Sequence, residues 1–147
     1  MTAKKPIKTI RIPTKISKNL SWIEKYLRKA RQHMPSLVLP RHIRAYKPPI
    51  NKESRTLGSC YIQERLITLA THRVVIIQGP KRKRRKHVAL SQKEILMTLA
   101  HEMAHLRHDL HNFEQEYYAA TIFRTFGLQD RCPYCKGTGN IPMQYVN

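Results

Sequence analysis

A mixed domain of the α+β class is what the sequence predicts, and three observations predict it. Helical spacing or helix-capping residues mark three segments, around 19–34, 91–110 and 112–126. Between the first and second lie short runs rich in Tyr, Ile, Val, Leu and Thr, which read as strands. Proline and glycine punctuate the joins at Pro35, Gly79-Pro80 and Gly127.

Residues 1–18 read as a basic extended arm, interrupted by Pro6 and Pro13 and lacking any acidic residue. From Asn19 or Ser21 to about Met34, Leu20, Ile23, Leu27, Ala30 and Met34 recur at helical spacing, and Pro35 stops that helix. Pro40, Pro48 and Pro49 flank short apolar pieces over 36–50, which predicts one strand with irregular flanks. Leu57–Gln63 and Leu66–Thr71 are separated by the polar pair Glu64-Arg65, so a hairpin is expected. Arg73–Gln78 holds Val74, Val75, Ile76 and Ile77, a candidate buried strand. Residues 81–86, Lys-Arg-Lys-Arg-Arg-Lys, are six adjacent cations that repel one another, which predicts a solvated loop. Ser91-Gln92-Lys93-Glu94 is a capping box opening a helix whose apolar stripe is Ile95, Leu96, Leu99, Met103, Leu106 and Leu110. Asn112 can cap a further helix to Phe126, with Gly127 suited to the left-handed conformation past its end. No internal repeat is present. The division expected is an arm at 1–18, a folded domain at 19–128 and a tail at 129–147.

The chain has 147 residues, enough for one domain with a real core. It carries 28 Lys and Arg against 9 Asp and Glu, a net charge of +19, which points to a polyanionic partner such as nucleic acid. The run Lys81, Arg82, Lys83, Arg84, Arg85 and Lys86, between the strands and the capped helix, is the candidate phosphate-gripping element. The bland alternative is a solvated connection. No apolar stretch approaches the roughly 20 residues of a membrane span, and the amino terminus has no apolar core of a secretory signal. With 3 cysteines, an odd number that makes no disulfide framework, a reducing compartment is expected, cytoplasmic or nucleoid-associated.

The motif that carries chemistry is His101-Glu102-Met103-Ala104-His105. Residues four apart on a helix lie one turn above each other, so His101 and His105 can grip one ion, and neutral imidazoles suit Zn²⁺. Glu102, on the adjoining helix surface, can accept a proton from water at the metal. With 8 His in the chain, chance supplies only about 0.02 such motifs, which favours a metal site over a fortuitous histidine pair. A catalytic zinc takes three protein ligands. His108, Asp109, His111, Glu114 and Glu116 are the candidates for the third. On a straight helix His108 lies about 10.5 Å along the axis from His101, too far to share an ion with His105 between them. It reads as a supporting or surface histidine. His111 comes within reach if the helix ends near Leu110 and the chain turns back. His111 is therefore favoured, with Glu114 or Glu116 as substitutes.

The segment Ile95–His111, ILMTLAHEMAHLRHDLH, with Phe113, Tyr117 and Tyr118 after it and Leu57–Ile62 and Leu66–Leu69 before it, resembles the SprT-like zinc metallopeptidases and their short bacterial and phage relatives. About half the chain carries the likeness. It implies a helix, a small, mainly antiparallel sheet, an active helix and a packing helix. It also implies peptide hydrolysis on a protein or peptide substrate, with His101, His105 and His111 as zinc ligands and Glu102 as the base. Glu102 would take a proton from metal-bound water and deliver it to the leaving amine, and Tyr117 is one candidate to stabilise the oxyanion. Some SprT-like proteins act on DNA-bound proteins, and the positive charge is compatible with that. His108 stands where the related metzincin pattern has glycine.

Cys132-Pro133-Tyr134-Cys135, followed by Lys-Gly-Thr-Gly, looks like half of a zinc ribbon. A structural site wants four ligands and only two are visible here, so either the others come from His72, His87 or a second chain, or no second metal is held. Cys60 reads as a buried free thiol in the hairpin. Two further functions compete with the peptidase. One is a nucleic-acid-binding module whose zinc is not catalytic. The other is a structural component of a nucleoprotein particle that keeps an inactive site.

Overall fold

A computed structural model describes residues 10–51 and 56–127. The predicted α+β class is what it shows. The chain runs β1 (Lys15–Ile16), a 3₁₀ helix (Lys18–Ile23), α1 (Glu24–His33), β2 (His42–Tyr46), β3 (Gly58–Tyr61), β4 (Leu66–Ala70), β5 (His72–Gln78), β6 (Lys83–Ala89), α2 (Gln92–His105) and α3 (Phe113–Thr125). The Cys132 and Cys135 pair, and with it the predicted tail, lies outside the described residues.

Strands β1 to β4 form one sheet in the order β1-β2-β4-β3. The expected hairpin is β3–β4, antiparallel, with Cys60 opposite Ile67 and Ser59 opposite Thr68. The sheet is mixed, because β1–β2 and β2–β4 are parallel. The first parallel pair has a mechanical cause: a crossover of a dozen or more residues is needed, and the 3₁₀ helix and α1 supply it. Residues 15 and 16, predicted as the end of a free arm, are therefore part of the sheet. Strand β3, inserted after a long excursion from β2, takes the sheet edge. Its turn into β4 is made by residues 62–65. Arg65 closes that turn at φ 50° and accepts hydrogen bonds at its carbonyl from the backbone of Arg41 (2.7 Å) and His42 (3.3 Å).

The core sits between this sheet and the helices. Leu20, Ile23 and Leu27 meet Ile43, Ile67 and Leu69 of the sheet, Leu96, Leu99 and Met103 of α2, and Ile122, Phe123 and Phe126 at the end of α3. Trp22, Tyr26 and Phe126 stack edge to face at 6.1 Å centroid separations. Each such buried side chain contributes about 1.5–3 kcal/mol. Helix α2 packs on β3, β4 and α3, which makes it the central element of the fold.

The remaining strands depart from expectation. β5 and β6 form a separate two-stranded antiparallel ribbon, from His72 opposite Ala89 to Gln78 opposite Lys83. Residues 83–86 of the basic run are thus strand and not loop. The partner strand is rich in β-branched residues and offers a full ladder, and the long cationic side chains lay their stems beside it while their heads stay in water. The candidate buried strand is exposed over its second half, from Ile76 to Gln78, and only Val74 of β5 is buried. Among the described residues no helix is long and apolar enough to cross a membrane.

Candidate metal centre

Helix α2 starts where the capping residue predicts. Ser91 accepts a hydrogen bond from the Glu94 backbone N–H at 3.1 Å. The reciprocal half of the box is absent, because the Glu94 carboxylate turns instead to the Arg73 guanidinium at 2.9 Å. The helix ends at His105, five residues before the predicted end. Its last turn tightens, with Leu106 and Arg107 bonding to the carbonyls of Met103 and Ala104, three residues back. Leu110 consequently falls off the apolar stripe and is exposed. Asn112 then caps α3 by accepting from the Gln115 backbone N–H at 2.9 Å. Gly127 follows α3 at φ 76°, as expected.

The early end of α2 brings His111 back over the helix. His101, His105 and His111 each offer a ring nitrogen, all within 4.8 Å of one another. His105 Nε2 lies 3.2 Å from His101 Nε2 and 3.1 Å from His111 Nε2. Two ligands of a tetrahedral zinc at 2.0–2.1 Å stand about 3.3 Å apart, so the three rings fit one small divalent cation. The donor chemistry agrees, since imidazole suits zinc and its transition-metal neighbours. Glu114 and Glu116, weighed as substitutes, are not in the cluster. Glu114 faces the His108 ring at 3.9 Å.

Hydrogen bonds set the rings. His105 Nδ1 lies 3.0 Å from the carbonyl oxygen of His108. A carbonyl can only accept, so Nδ1 carries the hydrogen and Nε2 turns its lone pair to the cluster. His108 thus serves through its main chain, while its ring packs edge-on against Tyr118. Gln115, fully buried on α3, donates from Nε2 to the His101 carbonyl at 3.0 Å and ties the two helices together at the first histidine.

Burial sets the protonation states. It holds the His101 ring down to about 4, helped by the neighbouring His105 and His111 rings, and it also lowers His105. Both are therefore neutral at pH 7, the form that binds metal. Glu102 is 8% exposed, and burial pushes its carboxyl up to about 7. A divalent cation on the three imidazoles would draw it back toward the ionised form.

Over the histidines opens a cleft of about 610 Å³. Its walls are β3, through Gly58, Ser59 and Cys60, and the α2 face bearing Met97, Thr98 and Glu102, with Asp109 beside the histidines. Gly58 is required there by close approach. A Cβ at this position would stand 2.7 Å from Thr98 Cγ2 and 2.8 Å from the Thr68 carbonyl oxygen. Cys60, expected to be buried, is half-buried and lines the cleft. Burial and the Glu102 carboxylate push its thiol up to about 11. Tyr117 lies outside the cleft lining and is exposed, so it is not positioned for the oxyanion role. His72 and His87 pair with each other at the ribbon base, 6.0 Å between centroids. Lys81–Lys86 lie along the ribbon, apart from the cleft.

Sequence reasoning missed Gln115, Gly58 and the His108 carbonyl. The run of small residues at Gly58-Ser59 was the available sign for the second. A main-chain acceptor leaves none. Comparisons with protein-family models, with curated proteins and with solved structures found no match.

Proposed function

We propose that the protein is a zinc-dependent metallopeptidase of the SprT-like kind, which hydrolyses peptide bonds in protein substrates. The observation that carries this reading is the convergence of three imidazoles and a buried carboxyl on the floor of one open cleft. Three protein donors are the count of a catalytic zinc, whereas a structural zinc takes four. His101, His105 and His111 would hold the ion, which when bound supplies Lewis acidity toward a carbonyl oxygen and acidifies water.

The chain's own residues supply the rest. Glu102 accepts the proton of the attacking water and returns it to the amine nitrogen as the C–N bond breaks. A carboxyl near neutrality is suited to both transfers. β3 is an edge strand, with one side unpaired among the described residues, and it lines the cleft. An extended peptide can add to such an edge through main-chain hydrogen bonds, which would carry its backbone past Glu102.

The test is zinc content and cleavage of unfolded test proteins by the full chain and by Glu102→Gln. Retained zinc with lost cleavage is expected. Cleavage at the wild-type rate in Glu102→Gln would overturn the general-base role of Glu102, whereas no cleavage by the full chain together with a fourth protein ligand on the metal would make the zinc structural and the chain a binding module.

A further inference from the structure

The β5–β6 ribbon takes no part in the cleft, and its composition is out of keeping with a structural hairpin. No acidic residue occurs from 71 to 90. Among the described residues none of the six cations Lys81–Lys86 is in an ion pair, and Arg73 at the base is the ribbon cation that has one. Ile76, Ile77 and Val88 are exposed alongside them. Like charges crowded on one strand, with bare aliphatic side chains between them, meet no carboxylate among the described residues. A polyanion relieves the repulsion among the cations.

We infer that this ribbon is a duplex-DNA-binding element that seats in the major groove. Strand geometry supplies the first argument. Successive side chains point to opposite faces, so Lys83 and Arg85 share one face with Ile76, while Arg84 and Lys86 share the other with Ile77. Both faces are therefore basic. A flat basic patch meets one line of phosphates or one anionic surface; a ribbon basic on both faces matches a groove with a phosphate wall on each side. Size supplies the second. Two paired strands fit a groove about 12 Å wide, whereas the deep, narrow major groove of A-form RNA does not admit them. The ribbon's seven residue pairs span about 23 Å, less than one turn of B-DNA.

The ribbon is also anchored at its base. Arg73 pairs with Glu94 at the start of α2 and His87 Nε2 donates to the Pro48 carbonyl at 2.6 Å, while farther along the ribbon the Arg85 guanidinium donates to the Asn51 carbonyl. The inference is independent of the metal centre and holds whether or not peptides are cleaved.

The experiment uses the full zinc-loaded chain and a labelled 30-base-pair DNA duplex, with binding followed by anisotropy from 50 to 200 mM salt. The double variants Lys83→Gln/Arg85→Gln and Arg84→Gln/Lys86→Gln should each weaken binding about tenfold or more and lower the salt slope by about 2. Arg31→Gln/Arg124→Gln, remote from the ribbon, should leave the slope unchanged. Zinc content of both ribbon variants should match the parent chain, and so should the melting temperature of Arg84→Gln/Lys86→Gln, which leaves the Arg85 contact to Asn51 in place. Dimethyl sulfate footprinting should show protection at guanine N7, which lies in the major groove. Loss from only one of the two faces, equal loss in the remote variant, or protection confined to adenine N3 in the minor groove would overturn the assignment. So would equal affinity for an RNA duplex of the same sequence or for vesicles of anionic phospholipid.

Discussion

Glu102 and His105 are 8% and 7% exposed, whereas Ile76 and Ile77 of the ribbon are 46% and 45% exposed. Each pair stands where its chemistry is least at ease in water or out of it. At the metal centre, burial strips water from titratable groups, which keeps imidazoles neutral and a carboxyl near its protonated form. On the ribbon, six cations stay in water beside uncovered aliphatic side chains. Departures from ordinary packing thus take opposite forms in the two regions. One sets protonation where three imidazoles could hold a small cation; the other concentrates the charge on which the proposed binding of a large polyanion rests.

The comparison breaks most sharply at Glu102. Glu102→Gln should lower peptide hydrolysis by about 10²–10⁴-fold in a turnover assay, while zinc content and the salt slope of DNA binding stay at parent values. His111→Ala comes next. Removing a supporting group costs roughly 10–100-fold in metal affinity, so loss of a ligand should exceed that in a competition titration. DNA binding should again be unmoved.

Gly58→Ala tests the wall between the cleft and the sheet. The added carbon meets the Thr68 carbonyl and Thr98, so β3 and α2 must part. Denaturant unfolding should show a loss of about 1–3 kcal/mol, as for other overpacked sites.

Stability against pH separates the two buried groups in the chelated protein. Glu102 has its folded value raised from 4.5 to about 7. Its favourable contribution is therefore complete below pH 4.5 and lost as pH rises through about 7. His101 has its value lowered from 6.5 to about 4, so its contribution is complete above pH 6.5 and lost as pH falls through about 4. The two slopes oppose each other between. Without metal, Glu102→Gln should be more stable than the parent by about 1–2 kcal/mol above pH 7, after allowance for water in the cleft, and equal to it below pH 4.5. Thermal melts across pH 4–8 read this directly.

The smallest effect is expected at Arg65. A non-glycine residue at φ 50° costs about 1 kcal/mol. Arg65→Gly should return roughly half of that, since glycine also loosens the unfolded chain.

Much of this molecule was legible before its structure. His101 and His105 are one turn apart on a capped helix, and local spacing alone places them together. The Ser91 and Asn112 caps and the 57–71 hairpin are local as well. His111 depended on where α2 stops, and no Gly or Pro marks that point, so its place could be reasoned only conditionally. The parallel pairing of β1 was hidden because a two-residue strand in a proline-interrupted segment has no periodicity of its own. Residues 83–86 of the basic run are strand where a loop is expected, because repulsion among cations does not reveal the β-branched strand that pairs with them. Val75, Ile76 and Ile77 looked like core because hydrophobicity does not tell a buried strand from one left bare.

One small contact near the metal centre has a practical consequence. The acceptor that fixes the His105 tautomer is a peptide oxygen, so any amino acid placed at 108 still provides it. An alanine scan would score that position as dispensable while the group doing the holding went untouched. Reaching it takes backbone chemistry: an ester in place of the amide joining 108 to 109, made by protein semisynthesis, weakens the acceptor without altering a single side chain.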